Sequence, residues 1–171
     1  NRLAKPPSSK HDECDTNWDF DVTVAPSTLN IEQLSMTLPE ILRPVFAEAS
    51  QKLIEQSIES IPEELLPSFP IAFSCSEYLA NILTLYPDLT RELFSSGDLL
   101  RSLGGSELLT ACLTATDGLD DEVEFQRALR LYRHRQLVRI AWRDLAGLAE
   151  LSETLADLSA LADAVQCAAL R

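Results

Sequence analysis

The chain has 171 residues and a formal net charge of −13, from 14 Lys+Arg against 27 Asp+Glu, with 46% hydrophobic and 24% charged residues. That balance fits one globular domain with a usable core rather than a disordered polymer, and the acidity argues against nonspecific binding to nucleic acid or anionic lipid, whose phosphates need clustered Lys and Arg. No run approaches the roughly 18 apolar residues of a membrane span, and Asn1-Arg2-Leu3-Ala4-Lys5-Pro6 has no apolar signal core, so a soluble, cytoplasmic protein with no membrane partner is expected.

Residues 1–26 contain Pro6-Pro7-Ser8-Ser9, mixed charges and no sustained periodicity. They read as a flexible leader, with Trp18, Phe20, Val22 and Val24 alternating enough to dock as a short extended piece. From residue 27 the pattern is helical. Thr37-Leu38-Pro39-Glu40 has the form of a capping box, followed by a stripe at Ile41, Val45, Ala49, Ile54, Ile58 and Ile61. Pro44 kinks that helix or moves its start, and Pro62, Pro67 and Pro70 forbid a continuous helix across 62–70.

Ser74 and Glu77 offer a second capping box before Tyr78, Leu79, Ile82, Leu83 and Tyr86. Pro87 ends that helix and can open the next, through Leu89, Leu93 and Phe94, and Gly97 suits the left-handed position after it. A short helical piece at 98–103 is expected, then another helix from Glu107 through Leu109, Cys112 and Leu113. Asp117-Gly118-Leu119-Asp120 is a break. Asp121 with Glu124 caps the longest periodic stretch, about 121–147. A last helix carries Leu151, Leu155, Leu158, Ala162 and Val165 at alternating steps of four and three. The fold class is all-α, an irregular bundle of about six to seven helices with short connections.

The chain ends inside an amphipathic helix without a stop signal and begins without Met. It is therefore expected to be a segment of a longer protein.

Cys14, Cys75, Cys112 and Cys167 are scattered and read as reduced thiols. His11 and Cys14 are the nearest approach to a zinc spacing, but no second pair completes four ligands. Asp117 and Asp120 follow an Ala/Leu helix rather than a strand and read as a turn and cap, not as metal ligands. Tyr78 and Tyr86, at i and i+8 beside leucines, read as core. There is no G-x-G-x-x-G, P-loop or G-x-S-x-G.

Charge is concentrated in one place. Between Arg127 and Arg143 lie Arg127, Arg130, Arg133, Arg135, Arg139 and Arg143 and no acid. At 100° per residue, Arg135, Arg139 and Arg143 form one ridge. Leu131, Val138, Trp142 and Leu145 form a stripe beside it, and Leu129, Leu137, Ile140 and Ala141 a second, with Arg130 and Arg133 among them. A helix apolar on two sides is mostly enclosed, so its arginines must find acids, carbonyls or an anionic ligand. Two readings follow: the ridge pairs with acids of other helices, or Arg135, Arg139 and Arg143 contact a substrate phosphate or nucleotide.

The stretch Leu129-Arg130-Leu131-Tyr132-Arg133-His134-Arg135-Gln136-Leu137-Val138-Arg139-Ile140-Ala141-Trp142-Arg143-Asp144-Leu145 resembles the L-R-x-x-R-R-R-x-x-x-R-I-A-x-x-D-L signature of the bifunctional glutamine synthetase adenylyltransferase/adenylyl-removing family. Leu151 to Asp163 is similar to that family's next helix. Ser76-Glu77-Tyr78-Leu79 with Tyr86-Pro87-Asp88-Leu89 resembles its S-[DE]-[FY]-[VL]…P-[DE]-L segment. The likeness covers roughly residues 72–171, and His134 stands where the family usually has Arg.

The resemblance implies a large enzyme with two nucleotidyltransferase-type domains, one attaching AMP from ATP to a tyrosine of glutamine synthetase and one removing it by phosphorolysis to give ADP. A P-II signalling protein would set the balance. This chain would be a 1–26 leader and a 27–171 helical domain, a fragment of the adenylyl-removing domain cut before its catalytic core. The family's Mg²⁺-binding pattern, G-M-G-K-L-G-G-x-E-L-N…S-D-x-D, is not among the 171 residues and would follow Arg171. No cofactor is expected on the segment itself; Mg and ATP or ADP belong to the parent enzyme. It would be a non-catalytic cap that packs on that core and helps form the docking surface for glutamine synthetase. The alternative is a stand-alone acidic helical module that binds another protein.

Overall fold

The computed structural model describes residues 27–28, 30–58 and 60–171. The leader and the His11–Cys14 spacing lie outside the described residues. Among those described, the architecture is all-α, as the periodicity predicts, with one short addition: a two-residue antiparallel pair in which β1 (Ser27–Thr28) meets β2 (Ser60–Ile61). Two residues are too few for alternation to show in a sequence.

Helix α1 (Ile31–Ser35) is capped by Asn30, whose Oδ1 accepts from Gln33 N at 3.0 Å. Thr37 does not open the next helix as expected; its hydroxyl donates to Leu34 O at 2.7 Å, closing α1 from behind. Pro39 instead precedes a 3₁₀ turn at Glu40–Leu42, and α2 (Arg43–Glu55) follows with Pro44 in its first turn. That start sets the phase of the helix. Phe46, Ala49, Ser50 and Leu53 face the core at i, i+3, i+4 and i+7, while Ile41 and Val45 of the expected stripe are exposed.

A second 3₁₀ turn (Glu63–Leu65) leads to α3 (Phe69–Cys75). The cap of α4 (Glu77–Leu85) is Ser76, which accepts from Leu79 N at 3.3 Å; Ser74, the expected cap, lies inside α3 and donates to Pro70 O. Helix α5 (Pro87–Ser96) stops at Gly97, whose φ of +74° is open to glycine at no steric cost. Residues 98–103 form turns rather than the expected helical piece, yet bury Leu99 and Leu103. Helix α6 (Gly105–Ala115) is anchored by Glu107, whose Oε2 accepts from Gly104 N at 2.9 Å.

Helix α7 (Glu122–Leu145) is capped by Asp121 Oδ1, accepting from Glu124 N at 2.9 Å, and α8 (Leu151–Ala169) returns along it. Two apolar clusters result. The first gathers α2 to α5 around Phe46, Leu53, Phe69, Phe73, Leu83 and Leu93, and receives Val138 and Trp142 from α7. Trp142 lies between Phe69 and Phe94, each at a ring distance of 6.0 Å, and its Nε1 donates to Ser68 Oγ at 3.0 Å. The second cluster joins α6, α7 and α8 through Cys112, Tyr132, Ile140, Leu161, Ala164 and Ala168. Here α6 and α8 approach closely: a Cβ on Gly105 would meet Ala160 Cβ at 3.4 Å. Helix α7 thus serves both clusters: Val138, Trp142 and Leu145 of the first expected stripe pack on one and Leu129, Leu137 and Ile140 of the second on the other, while Ala141, expected on the second, joins the first cluster.

Candidate functional site

The ridge on α7 is built into its neighbours by ion pairs. Arg135 grips Glu92 of α5 with both Nε (2.8 Å to Oε2) and Nη2 (2.9 Å to Oε1), and Nη2 also reaches Asp98 Oδ2 at 2.8 Å. Arg139 is 0% exposed. Its Nη2 donates to Asp157 Oδ2 of α8 at 2.6 Å, its Nε to Gln136 Oε1 at 3.1 Å, and its Nη1 to Arg101 O at 3.4 Å. Arg143 donates to Glu153 Oε1 from Nε (3.1 Å) and Nη2 (2.9 Å), and to Leu148 O at 2.9 Å. Its Nη1 is buried without an acceptor.

The three guanidiniums therefore brace α7 against α5, the 98–104 turn, α8 and the α7–α8 loop in succession. Their partners Glu92, Asp98, Glu153 and Asp157 were not singled out in the sequence. None carried a usable signal: on the face away from the Leu151–Leu155–Leu158 stripe, Asp157 reads as a solvated acid, yet it is buried. The electrostatics follow the contacts. Burial pushes the Asp98 carboxyl up, but hydrogen bonds and charge from Arg135 and then Arg101 outweigh it, and Asp98 sits below its ordinary value. The hydrogen bonds that Arg135 donates to Glu92, against partial burial, hold its guanidinium above its ordinary value.

The other arginines behave differently. Arg127, Arg130 and Arg133 are exposed and make no ion pair among the described residues. Arg127 and Arg130 stand beside a groove of about 720 Å³ between α5 and the first half of α7. Its apolar lining comes from Leu85, Pro87, Leu89, Ala115, Ala128 and Leu131. Next to it, His134 stacks on Tyr86 at 5.6 Å and lies 2.9 Å from the Tyr78 hydroxyl through Nδ1. Both tyrosines thus flank a surface histidine, and Tyr78 is exposed rather than core. Burial, then the charges of Arg133 and Arg130, hold the His134 imidazole below its ordinary value.

Asp117 and Asp120 lie in the turn around Gly118, with φ at +68°, and Asp121 is committed to capping α7. Among the described residues no three His, Cys, Asp or Glu side chains converge as metal ligands. Cys75, Cys112 and Cys167 are free thiols.

The last helix holds the largest difference from expectation. Its apolar stripe points outward: Leu151 is 69% exposed, Leu155 56% and Leu158 40%, and Leu148 of the preceding loop is exposed too. The inward face is Asp157, Leu161, Ala164 and Ala168. No described helix is long and apolar enough to cross a membrane.

A family model described as "Glutamate-ammonia ligase adenylyltransferase" matches residues 68–171, which holds the arginine ridge, the groove and α8. Among curated proteins, the chain is similar to the bifunctional glutamine synthetase adenylyltransferase/adenylyl-removing enzyme of Nitrosococcus oceani, 30% identical over 142 residues, covering 82% of this chain and 15% of that one. The enzyme of the same name from Thioalkalivibrio sulfidiphilus is 36% identical over 132 residues (74% of this chain, 13% of that one). That from Shewanella loihica is 37% identical over 136 residues (77% and 14%). The chain thus spans 13 to 15% of the length of these relatives. No solved structure matches.

Proposed function

Because the chain belongs to the glutamate-ammonia ligase adenylyltransferase family, we propose that it is the helical front segment of a bifunctional enzyme that attaches AMP from ATP to a tyrosine of glutamine synthetase and removes it again by phosphorolysis, giving ADP. The segment, residues 27–171 behind a 1–26 leader, is non-catalytic. Mg and the nucleotide act at a carboxylate-bearing core that follows it in the longer protein, and a P-II signalling protein sets the direction of flux. The enzyme works in the cytoplasm.

One observation carries the segment's own role: the bare leucine stripe of α8. Leu151, Leu155 and Leu158 lie on one helix face, and apolar surface left in water at that density marks a packing face. We assign it to the seat of the catalytic core. The test replaces all three leucines with Gln. In the 171-residue chain the thermal transition should stay in place, because the side chains already touch solvent. In the longer enzyme the same change should lower the melting temperature and slow both AMP transfer and AMP removal. Unchanged activity and melting of the longer enzyme would overturn the assignment.

A second reading, substrate contact by the ridge, is favoured by one atom: Arg143 Nη1, a buried donor without an acceptor. A phosphate oxygen brought by the rest of the enzyme would satisfy it, whereas Arg135 and Arg139 have their acceptors within the segment. Replacing Arg135, Arg139 and Arg143 singly with Ala and measuring phosphorolysis of adenylylated glutamine synthetase separates the roles. Lower stability with unchanged kcat and KM leaves ion pairing as the function of the ridge.

A further inference from the structure

The arginines of α7 divide by position along the helix. Arg135, Arg139 and Arg143 each hold a carboxylate, while Arg127 and Arg130, one to two turns earlier, hold none among the described residues and point into solvent. In a chain of net charge −13 this is a local excess of positive charge that internal acids do not neutralise. The two acids lining the adjoining groove are already engaged, Asp88 with Arg91 and Glu92 with Arg135. The groove is lined mainly by apolar side chains, among them Leu85, which is 68% exposed.

We propose that this groove binds a short acidic peptide segment of a partner protein, its carboxylates meeting Arg127 and Arg130 and its large apolar side chains covering Leu85, Leu89 and Leu131. The site goes beyond the assigned packing face, from which it differs in helix and in chemistry. Its volume of about 720 Å³ lies within the range of ligand clefts. Charge complementarity selects the occupant. Two guanidiniums three residues apart on one helix favour a spaced row of carboxylates, and their methylene stems extend the apolar surface that such a peptide would cover. A long polyanion such as nucleic acid would run beyond the two arginines into the repulsive field of the rest of the molecule, which a short peptide confined to the groove does not.

The test uses the 171-residue chain and a fluorescein-labelled synthetic peptide of about a dozen residues alternating Glu or Asp with Leu and Trp, beside a twin with Lys at every acid. Fluorescence anisotropy should show saturable binding of the acidic peptide and at least tenfold weaker binding of the Lys twin. The R127E/R130E variant should lose at least tenfold in affinity, and L85Q several-fold. All three positions are exposed, so circular dichroism should report an unchanged fold. Raising salt from ~50 to ~500 mM should weaken binding about as much as the charge reversal. Equal binding of both peptides, no saturation in the millimolar range, or an R127E/R130E variant that binds as the parent does would each overturn the proposal. A chain in which Asp12, Glu13, Asp15, Asp19 and Asp21 are all neutralised reports on a rival occupant. If it binds the probe tenfold more tightly, the groove belongs to the chain's own leader and the partner assignment falls; unchanged affinity supports it.

Discussion

Replacing Asp157 by Ala isolates what the buried brace contributes. Asp157 and Arg139 are nearly or wholly removed from water, and their contact is 2.6 Å. Without the carboxylate, the Arg139 guanidinium keeps only Gln136 Oε1 at 3.1 Å and a long contact to Arg101 O at 3.4 Å. Leaving a buried charge uncompensated costs about 3–5 kcal/mol, a large share of the ~5–15 kcal/mol that holds a domain folded. Removing both charges with R139M/D157L lifts the desolvation penalty and leaves chiefly Gln136 Oε1 without a donor, about 1–3 kcal/mol. The singles R139M and D157L should therefore sum to more than the double by at least about 2 kcal/mol. Urea unfolding followed by ellipticity at 222 nm reads this directly: with m near ~2 kcal/mol/M, D157A should lower the midpoint by ~1.5–2.5 M. A single variant losing less than ~1 kcal/mol, or strictly additive singles, would show that the brace is not a coupled buried pair.

Trp142→Phe keeps an aromatic ring near Phe69 and Phe94 but drops the donor to Ser68 Oγ, and should cost about 1–3 kcal/mol in the same urea assay. The pH dependence should follow His134, whose folded value is depressed. Its contribution is then fully present above the unfolded value of about 6.5 and is lost as pH falls through the folded value. Protonation would set a third positive charge beside Arg130 and Arg133 and turn Nδ1 into a donor facing the Tyr78 hydroxyl. The melting temperature should fall between pH 7 and 5, and His134→Gln should reduce that slope; an identical slope would show that another group titrates.

The fold was legible wherever one residue type has a single mechanical use. Pro87, Gly97 and Asp121 open, end and cap helices where their chemistry requires. The arginine ridge was legible for the same reason, since angular position follows from spacing alone. Phase and destination were not. In α2 both Ile41–Val45 and Phe46–Leu53 satisfy helical spacing, and the 3₁₀ turn after Pro39 decided between them. In α8 the periodic leucines marked a real face, but periodicity cannot say what covers it. The inward face is instead held by Asp157 and small alanines, which suit the close approach of α6 at Gly105. The acids that answer the ridge come from distant parts of the chain, and only tertiary packing brings Glu92 and Asp98 to Arg135.

Helix α7 spends 24 residues serving two hydrophobic assemblies at once, and Val138 and Ile140, two positions apart, belong to different ones. Neither half can melt without stripping the other of its shared wall. Heat or denaturant should therefore meet one cooperative unit rather than two lobes. A load applied at α8 would reach the aromatic nest around Trp142 through a single stiff axle, without any change of fold in between.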